Sequence, residues 1–279
     1  MKTKLYNLIT YFWYKILKNP IKLKRTFDSR NKDAKFTVIF LHGIAATSAT
    51  WYPTTNTFVK DSGLKNFRFI TLDLLGFGKA LRADWLNYDY DEYNKALLKT
   101  IRHLRIKTPI ILVGHSMGSL IAANFATNHP GKIARLILVS PPVLKASEAA
   151  KLPDKFYQKS YDTLPKIAED PIIKTLANFV QKVSSFRAEY LKTTAFERSM
   201  KNIVLNHQNY QLFKHLTIPT VIIHGRFDPL VIQANLSDIA KTNSNFVKLE
   251  QVTAQHDISP SKRDKIKLAL KEYLEHETI

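Results

Sequence analysis

A serine between two glycines marks the stretch of the chain with the clearest capacity for chemistry. Residues 114–118 read Gly-His-Ser-Met-Gly, with an aliphatic run before them and a small-residue helical pattern after them. A Gly-X-Ser-X-Gly segment between a strand and a helix predicts a sharp, strained turn with the hydroxyl at its tip. Gly114 and Gly118 avoid collisions there, and the helix dipole places positive charge beneath the serine. We therefore predict that Ser116 is a nucleophile; a glycine-rich turn that merely contains a serine is the alternative.

His256 is the histidine best placed to activate such a serine. A serine hydroxyl is a poor nucleophile until a base takes its proton. Of the nine histidines, His256 alone lies in a loop, "VTAQHDISP", between the last predicted strand and the last predicted helix. That loop leaves the carboxyl end of the sheet, where the serine turn also emerges. We predict that His256 is the general base, and a solvated or capping loop histidine is the alternative.

Three aspartates are candidates for the carboxylate that orients this base. A carboxylate fixes the tautomer of the histidine and stabilises its charged form. Asp228, in "IIHGRFDPLV", follows a predicted strand at the same sheet edge. Asp257 is the neighbour of the histidine in sequence, but adjacent side chains usually diverge, and Asp73 is better placed to hold a loop. We predict Asp228 as the third member of the site, against a structural turn aspartate before Pro229.

Acyl transfer also needs donors for a developing oxyanion. The segment "FLHGIAATSATW" places His42 and Gly43 directly after the first predicted strand. Gly43 permits a close backbone approach, so the N–H of Ile44 is one candidate donor. The N–H of Met117, directly after the nucleophile, is the other.

Alternating short aliphatic runs and helical stretches predict the framework for these residues. The predicted strands are 36–41, 67–72, 109–114, 134–140, 220–225 and 245–250. The predicted helices between and after them are 91–104, 117–129, 231–241 and 261–275. Several strands are apolar on both faces, which suits a parallel sheet covered by helices. The pattern predicts an α/β fold with a mainly parallel central sheet flanked by helices.

Residues 144–216 interrupt the alternation with helical segments alone, which predicts an inserted helical cap. Pro153, Pro165 and Pro171 punctuate this interval. It also holds aromatic side chains that either pack in a core or contact an apolar substrate, namely Phe156, Tyr157, Tyr161, Phe179, Phe186 and Tyr190. The core would then comprise residues 36–143 and 217–279.

The chain is strongly basic, and the excess of positive charge is greatest in its first 35 residues. The formal net charge is +19 over 279 residues, and residues 1–35 hold ten Lys and Arg against Asp28 and Asp33. Such a charge favours anionic surfaces, either acidic lipid or nucleic acid. No nucleic-acid-binding fingerprint accompanies it, so nucleic acid is the weaker interpretation. Cysteine is absent, which excludes disulfides, thiolate metal sites and a cysteine nucleophile.

Residues 1–20 predict an amphipathic helix, followed by a basic linker over 21–35. The helix carries no run of apolar residues long enough to span a bilayer, and no signal-peptide cleavage site follows it. One face is apolar and the other is polar or basic. The apolar face holds Leu5, Leu8, Ile9, Phe12, Trp13 and Ile16, opposite Lys4, Asn7, Tyr11, Tyr14, Lys15 and Lys18. Two alternatives stay open: a helix in an anionic membrane interface, or one that packs its apolar face on protein.

The order Ser116, Asp228, His256, with His42-Gly43 upstream, resembles the α/β-hydrolase superfamily. The loop "TLDLLGFGKA" at 71–80 strengthens the resemblance, which runs from about Phe36 to Tyr273. It implies hydrolysis through an acyl-enzyme without a cofactor or metal, beneath a helical cap. Family members often begin with a β-hairpin, so this chain could lack early edge strands. A serine nucleophile argues against the related dehalogenases and epoxide hydrolases, which use aspartate.

These observations together predict a serine hydrolase that cleaves carboxylic esters of an apolar or lipid-like small molecule. Cleavage of a carbon–carbon bond or another acyl bond by the same residues is the alternative within the enzymes. A binding module without catalysis is the alternative outside them. We expect a cytoplasmic protein, with peripheral attachment to the inner face of the membrane if the N-terminal helix binds lipid. The sequence leaves the oligomeric state open.

Overall fold

A seven-stranded sheet lies at the centre of the computed structural model, which describes residues 8–17, 19–149 and 187–277. The strand order is β1-β3-β2-β4-β5-β6-β7, and only β1 is antiparallel to its neighbour. The strands are β1 (Lys24–Asp28), β2 (Phe36–Leu41), β3 (Phe67–Asp73), β4 (Ile110–His115), β5 (Ile133–Val139), β6 (Thr220–Gly225) and β7 (Val247–Val252). All six predicted strands are confirmed, with small differences at their ends.

Helices cover both faces of this sheet. They are α1 (Tyr52–Phe58), α2 (Tyr90–His103), α3 (Met117–Asn128), α4 (Ala146–Ala149), α5 (Thr194–Ser199), α6 (Gln208–Lys214), α7 (Gln233–Thr242) and α8 (Pro260–Glu277). Short 3-10 turns occupy Ser48–Trp51, Ser62–Leu64 and Ala188–Tyr190, and π-helical turns occupy Phe12–Ile16 and Met200–Val204. The four predicted helices correspond to α2, α3, α7 and α8.

The continuous aliphatic runs of the strands follow from burial on both faces. In β2, Val38 and Phe40 belong to one buried cluster, whereas Ile39 and Leu41 belong to the other. Helices α2 and α3 contribute to the second cluster, and α1 and α8 contribute to the first. Both faces of a central parallel strand therefore need apolar side chains. The predicted α/β fold is confirmed.

Residues 24–28 form an edge strand inside the segment that the sequence assigns to a basic linker. This strand, β1, pairs antiparallel with β3 in a register that sets Lys24 opposite Asp73. Arg68 on β3 donates to both carboxylate oxygens of Asp28, at 2.9 and 2.7 Å. The linker prediction was wrong over these residues because their polar composition hides the strand. An early edge strand is thus present.

The predicted cap falls partly outside the described residues. Residues 150–186, with Phe156, Tyr157, Tyr161, Phe179 and Phe186, belong to that part. In the described stretches between β5 and β6, helices are present and no strand is found. The buried Tyr190 accepts a hydrogen bond from the N–H of Gly78 at 2.8 Å, and its ring packs on Phe77. The cap over 144–216 stays a prediction, but its last part contacts the loop after β3.

Candidate active site

The residues singled out in the sequence converge on the carboxyl edge of the sheet. Ser116 directly follows β4, Asp228 lies three residues after β6, and His256 lies four residues after β7. His42 and Gly43 directly follow β2, the parallel neighbour of β4. Parallel strands expose their carboxyl ends at one edge, so residues far apart in sequence meet there.

Ser116 adopts the strained backbone conformation that the turn requires. Its φ and ψ are 53° and −121°, a region that non-glycine residues rarely occupy. Helix α3 begins at the next residue, Met117, and the N–H of Ser116 donates to the carbonyl of Val139 at 2.9 Å. Strain of this kind persists only where the surrounding structure holds it, and it clusters at functional sites.

The two glycines of the turn are there because neither position has room for a side chain. A Cβ atom on Gly114 would lie 2.4 Å from the carbonyl oxygen of Gly118. One on Gly118 would lie 2.4 Å from the carbonyl oxygen of Leu41, at the end of β2. Both contacts are with backbone, which cannot swing aside. The close approach of α3 to β2 and β4 therefore depends on these glycines.

Asp228 and His256 form a buried hydrogen-bonded pair. The Nδ1 of His256 lies 2.9 and 3.0 Å from the two carboxylate oxygens of Asp228, and both residues are 4% exposed. An ionised carboxylate only accepts hydrogen bonds, so Nδ1 is the nitrogen that donates to Asp228. The structure thus joins His256 to Asp228, the aspartate preferred over Asp257 in the sequence.

The surroundings of Asp228 keep it ionised. Burial alone raises the pKa of this carboxyl, but the His256 ring, the Lys262 ammonium and a hydrogen bond from Ser140 together lower it to about 2. A negative charge is therefore present beside the histidine throughout the neutral range. It stabilises an imidazolium and holds the ring in one orientation.

Lys262 is a buried cation beneath this pair. Its Nζ donates to Ser140 Oγ at 2.8 Å and to the carbonyl oxygens of Gln255 and Asp257 at 2.5 and 2.9 Å. Burial lowers the pKa of Lys262 to about 8, against the opposing effects of Asp228 and Asp257. The side chain thus ties the loop that carries His256 to the end of β5.

His115 packs beside His256 and supports the same loop. The two rings lie 4.9 Å apart between centroids, and His115 Nε2 donates to the His256 carbonyl oxygen at 2.9 Å. Burial, with a contribution from the nearby His256 ring, lowers the pKa of His115 well below its usual range. The ring is therefore neutral at pH 7.

The loop after β2 lies against the serine turn. A Cβ atom on Gly43 would lie 3.1 Å from the Cβ of Ser116, so the glycine permits this approach. Within the described residues, no group accepts a hydrogen bond from the N–H of Ile44 or Met117. The fully buried His42 donates from Nδ1 to the Gly43 carbonyl at 2.7 Å and accepts at Nε2 from the backbone. His42 thus fixes the shape of the loop.

Asp73 holds loops, as the sequence predicts. One carboxylate oxygen accepts from the N–H of Ser48 and the other from the N–H of Lys79, both at 2.8 Å. Gly78 has a φ of 57°, and a Cβ atom there would collide with the Asp73 carboxylate. The aspartate therefore ties the loop after β2 to the loop after β3, away from the histidine.

Sequence reasoning did not find Ser140 and Lys262, and it set His115 aside. Lys262 is one of 42 lysines and arginines and lies in a charged stretch, so nothing in its local pattern marks it as buried. Ser140 has a φ of 51° directly after β5. Its position at the end of a predicted strand, next to the serine turn, is the one signal that could have drawn attention to it.

A match over more than half of the chain decides the family. A family model described as the alpha/beta hydrolase fold matches residues 37–186. The chain belongs to the α/β-hydrolase family. The resemblance inferred from the motifs is thereby confirmed, and the α/β-hydrolase match includes the serine turn and the loop after β2.

Relatives of this α/β-hydrolase include several named lipid and ester hydrolases. BODYGUARD 2 of Arabidopsis thaliana, a probable lysophospholipase, is 35% identical over 122 residues, 43% of this chain and 26% of the plant protein. A pimeloyl-acyl-carrier-protein methyl ester esterase of Legionella pneumophila is 25% identical over 229 residues, 75% and 82% of the two chains. The chain thus spans about a quarter of the length of the plant relatives it matches.

Solved structures share the fold over nearly the whole chain. The esterase EaEST of Exiguobacterium antarcticum has a TM-score of 0.67, with 91% of this chain and 96% of that chain covered. The sequence identity is 20%, so this likeness concerns the α/β-hydrolase fold alone.

Proposed function

We propose that the protein hydrolyses carboxylic esters through an acyl-enzyme on Ser116. The observation that carries the proposal is the strained turn at Ser116 on the sheet edge that also holds the buried Asp228–His256 pair. A nucleophile, a base and an orienting carboxylate are the parts that serine hydrolysis needs. Esterases and probable lysophospholipases among the relatives support the same reaction class.

Acylation begins when Nε2 of His256 takes the proton of the Ser116 hydroxyl. The Oγ atom attacks the ester carbonyl carbon, and the carbonyl π electrons move onto oxygen. The N–H groups of Ile44 and Met117 stabilise this oxyanion, since neither has an acceptor within the described residues. His256 then gives the proton to the alkoxide as the carbon–oxygen bond breaks, and the alcohol leaves.

Deacylation repeats the same steps with water as the nucleophile. His256 takes a proton from water, whose oxygen attacks the acyl carbon of the ester on Ser116. Collapse of the second oxyanion breaks the bond to Oγ, and His256 returns the proton to the serine. The carboxylate of Asp228 stabilises the imidazolium in both halves of the cycle and stays ionised because its pKa is about 2.

We further propose an apolar or lipid-like ester as the substrate. The relatives include probable lysophospholipases and a pimeloyl-acyl-carrier-protein methyl ester esterase, and these names support an ester of an acyl chain as the substrate. The buried Tyr190 belongs to the last part of the predicted cap and stacks near the loop after β3. In this proposal the predicted cap lies over Ser116, and its aromatic side chains favour acyl chains over polar acyl groups.

A panel of p-nitrophenyl esters, from acetate to palmitate, tests the reaction and the substrate class together. We expect kcat/KM to rise with acyl length and lysophosphatidylcholine to release free fatty acid. A maximum at acetate would contradict the lipid-like substrate but not ester hydrolysis. Failure to hydrolyse any ester, in protein that is folded by circular dichroism, would contradict ester hydrolysis itself.

Replacing Lys262 by Met should change the pH dependence of activity. The ammonium of Lys262 lowers the pKa of Asp228, and burial lowers the pKa of Lys262 itself to about 8. Lys262 of the wild type therefore loses its charge within the range from pH 5 to 9, whereas the variant has no such charge to lose. The kcat/KM profile of wild type should change slope near pH 8, and that of K262M should not. Kinetics on a soluble ester between pH 5 and 9 measure the difference.

Lys265 supplies the matched control for this variant on the same helix. Its ammonium pairs with Glu250 at 2.8 Å and is partly exposed. K265M should leave the pH profile in place. A K262M enzyme that keeps the wild-type profile would show that Lys262 only fills space.

A further inference from the structure

The N-terminal helical segment turns its apolar face away from the domain. Residues 8–11 are α-helical and continue into the π-helical turn Phe12–Ile16. Six large apolar side chains along it are between 49% and 65% exposed, namely Leu8, Ile9, Phe12, Trp13, Ile16 and Leu17. Exposed large apolar side chains that are contiguous, rather than scattered, mark an interaction surface.

The opposite face of the same helix attaches it to the domain. Tyr11 and Tyr14 both pack on Trp85, at 5.5 Å between ring centroids. The phenol of Tyr14 donates a hydrogen bond to the Glu92 carboxylate, and burial together with this carboxylate raises the pKa of Tyr14. Tyr11 and Tyr14 therefore attach the helix to the domain, and its apolar face is exposed. The alternative in which that face packs on its own domain does not match this arrangement.

A basic cleft of about 690 Å³ lies beside the exposed face. Ile9 and Trp13 line its helical side. Its other lining includes the lysines Lys22, Lys24, Lys79 and Lys99. Within the described residues, no carboxylate forms an ion pair with any of these four ammonium groups. The cleft thus places uncompensated positive charge directly against aromatic and aliphatic side chains.

The register of β1 sets this surface at the catalytic edge of the sheet. Lys24, the first residue of β1, lies opposite Asp73, the last residue of β3. Because β1 is antiparallel, its start points to the edge at which β4, β6 and β7 end. Lys79 belongs to the loop that follows β3 at that edge. A partner bound here would lie on the same side of the sheet as Ser116.

We propose that the outward apolar face and the basic cleft together form a docking surface for an anionic lipid bilayer. Leu8, Phe12 and Ile16 enter the boundary between headgroups and acyl chains, and the lysines of the cleft bind lipid phosphates. Amphipathic helices with aromatic and aliphatic side chains beside basic residues bind membrane interfaces in this way. The proposal stands apart from ester hydrolysis, since neither the face nor the cleft includes Ser116, Asp228 or His256.

Charge complementarity favours a bilayer over the other occupants. A second copy of a chain with a net charge of +19 would bring two lysine-rich surfaces together. Nucleic acid would satisfy the lysines but would leave the apolar side chains in water. An anionic bilayer offers negative phosphates next to an apolar interior, which matches both halves of the surface.

Flotation with liposomes tests the proposal on the full chain. Vesicles of phosphatidylcholine with phosphatidylglycerol are compared with vesicles of phosphatidylcholine alone, at low and high salt. We expect binding to the anionic vesicles that weakens as salt rises. F12Q/I16Q should reduce partitioning about tenfold or more, since it removes the apolar contact. K22Q/K24Q/K79Q should reduce it about tenfold on anionic vesicles, since it removes the phosphate contacts.

Matched variants elsewhere on the surface serve as controls. V59Q/L268Q removes two apolar side chains of similar exposure, and K60Q/K107Q/K201Q removes three exposed lysines. Both should float like wild type, and all four variants should hydrolyse a soluble ester equally. Equal flotation of the F12Q/I16Q variant and its control would overturn the proposal. A wild-type protein that is dimeric without lipid, and that F12Q/I16Q converts to a monomer, would also overturn it. The same holds if the protein binds DNA as tightly as vesicles and F12Q/I16Q does not change the DNA binding.

Discussion

Replacing Ser116 by Ala is expected to abolish ester hydrolysis, with kcat lowered about 10⁴-fold or more. The variant keeps the oxyanion donors and the Asp228–His256 pair but has no atom that can form the acyl bond. Alanine also lacks the hydroxyl that the base acts on, so the base has only water to activate. Initial rates on the best ester of the panel, with enzyme purified away from host esterases, measure the loss.

Ser119 provides the control for this substitution because it is a buried serine one turn later. Its hydroxyl donates to the carbonyl oxygens of Gly114 and Val139 and faces no substrate in this account. S119A should keep kcat within about tenfold of wild type, apart from any loss of stability. Unchanged hydrolysis by S116A, or an equal fall in both variants, would contradict the assignment.

Replacing Asp228 by Asn is expected to lower kcat about 10³- to 10⁴-fold while the site keeps its shape. An amide has no negative charge to stabilise the imidazolium, and its NH₂ group can hold the ring in the wrong tautomer. The substitution should also change the acid stability of the protein. Because the pKa of Asp228 falls from 3.8 to about 2 on folding, its ionised form stabilises the fold above pH 4.

That stabilisation, about 2 kcal/mol, disappears as the pH falls from about 4 through 2. Wild type should therefore lose more stability than D228N over this interval, as measured by urea unfolding at each pH. D257N is the matched control, since the backbone carbonyl of Asp257, which the substitution keeps, accepts the hydrogen bond from Lys262. A D257N enzyme as impaired as D228N would transfer the orienting role to Asp257.

The serine turn could be predicted because its signal is local. A strand, two glycines at fixed spacing and a helix occupy adjacent residues, and the contacts of Gly114 and Gly118 explain why no larger residue fits. Asp228 and His256 could be predicted because each follows a strand whose carboxyl end must lie at the same edge. Topology thus brings together residues that 28 positions separate in the chain.

Features that depend on packing between distant elements could not be predicted from the sequence. Strand β1 is held by the ion pair of Asp28 with Arg68, forty residues away, and carries no apolar alternation. Lys262, on α8, is buried where its ammonium donates to Ser140, the residue that follows β5. The outward direction of the apolar helical face results from the contact of Tyr11 and Tyr14 with Trp85. Each of these three features could be predicted only if the contacts between distant parts of the chain were already known.

Covalent labelling with a fluorophosphonate probe tests the central claim most directly. Such a probe forms a stable bond with a serine Oγ only when a neighbouring base activates it. Mass spectrometry of the intact protein should show one adduct, and peptide mapping should place it on Ser116. Labelling should vanish in S116A and slow strongly in D228N. A folded protein that takes no label, or takes it on another residue, would contradict the account.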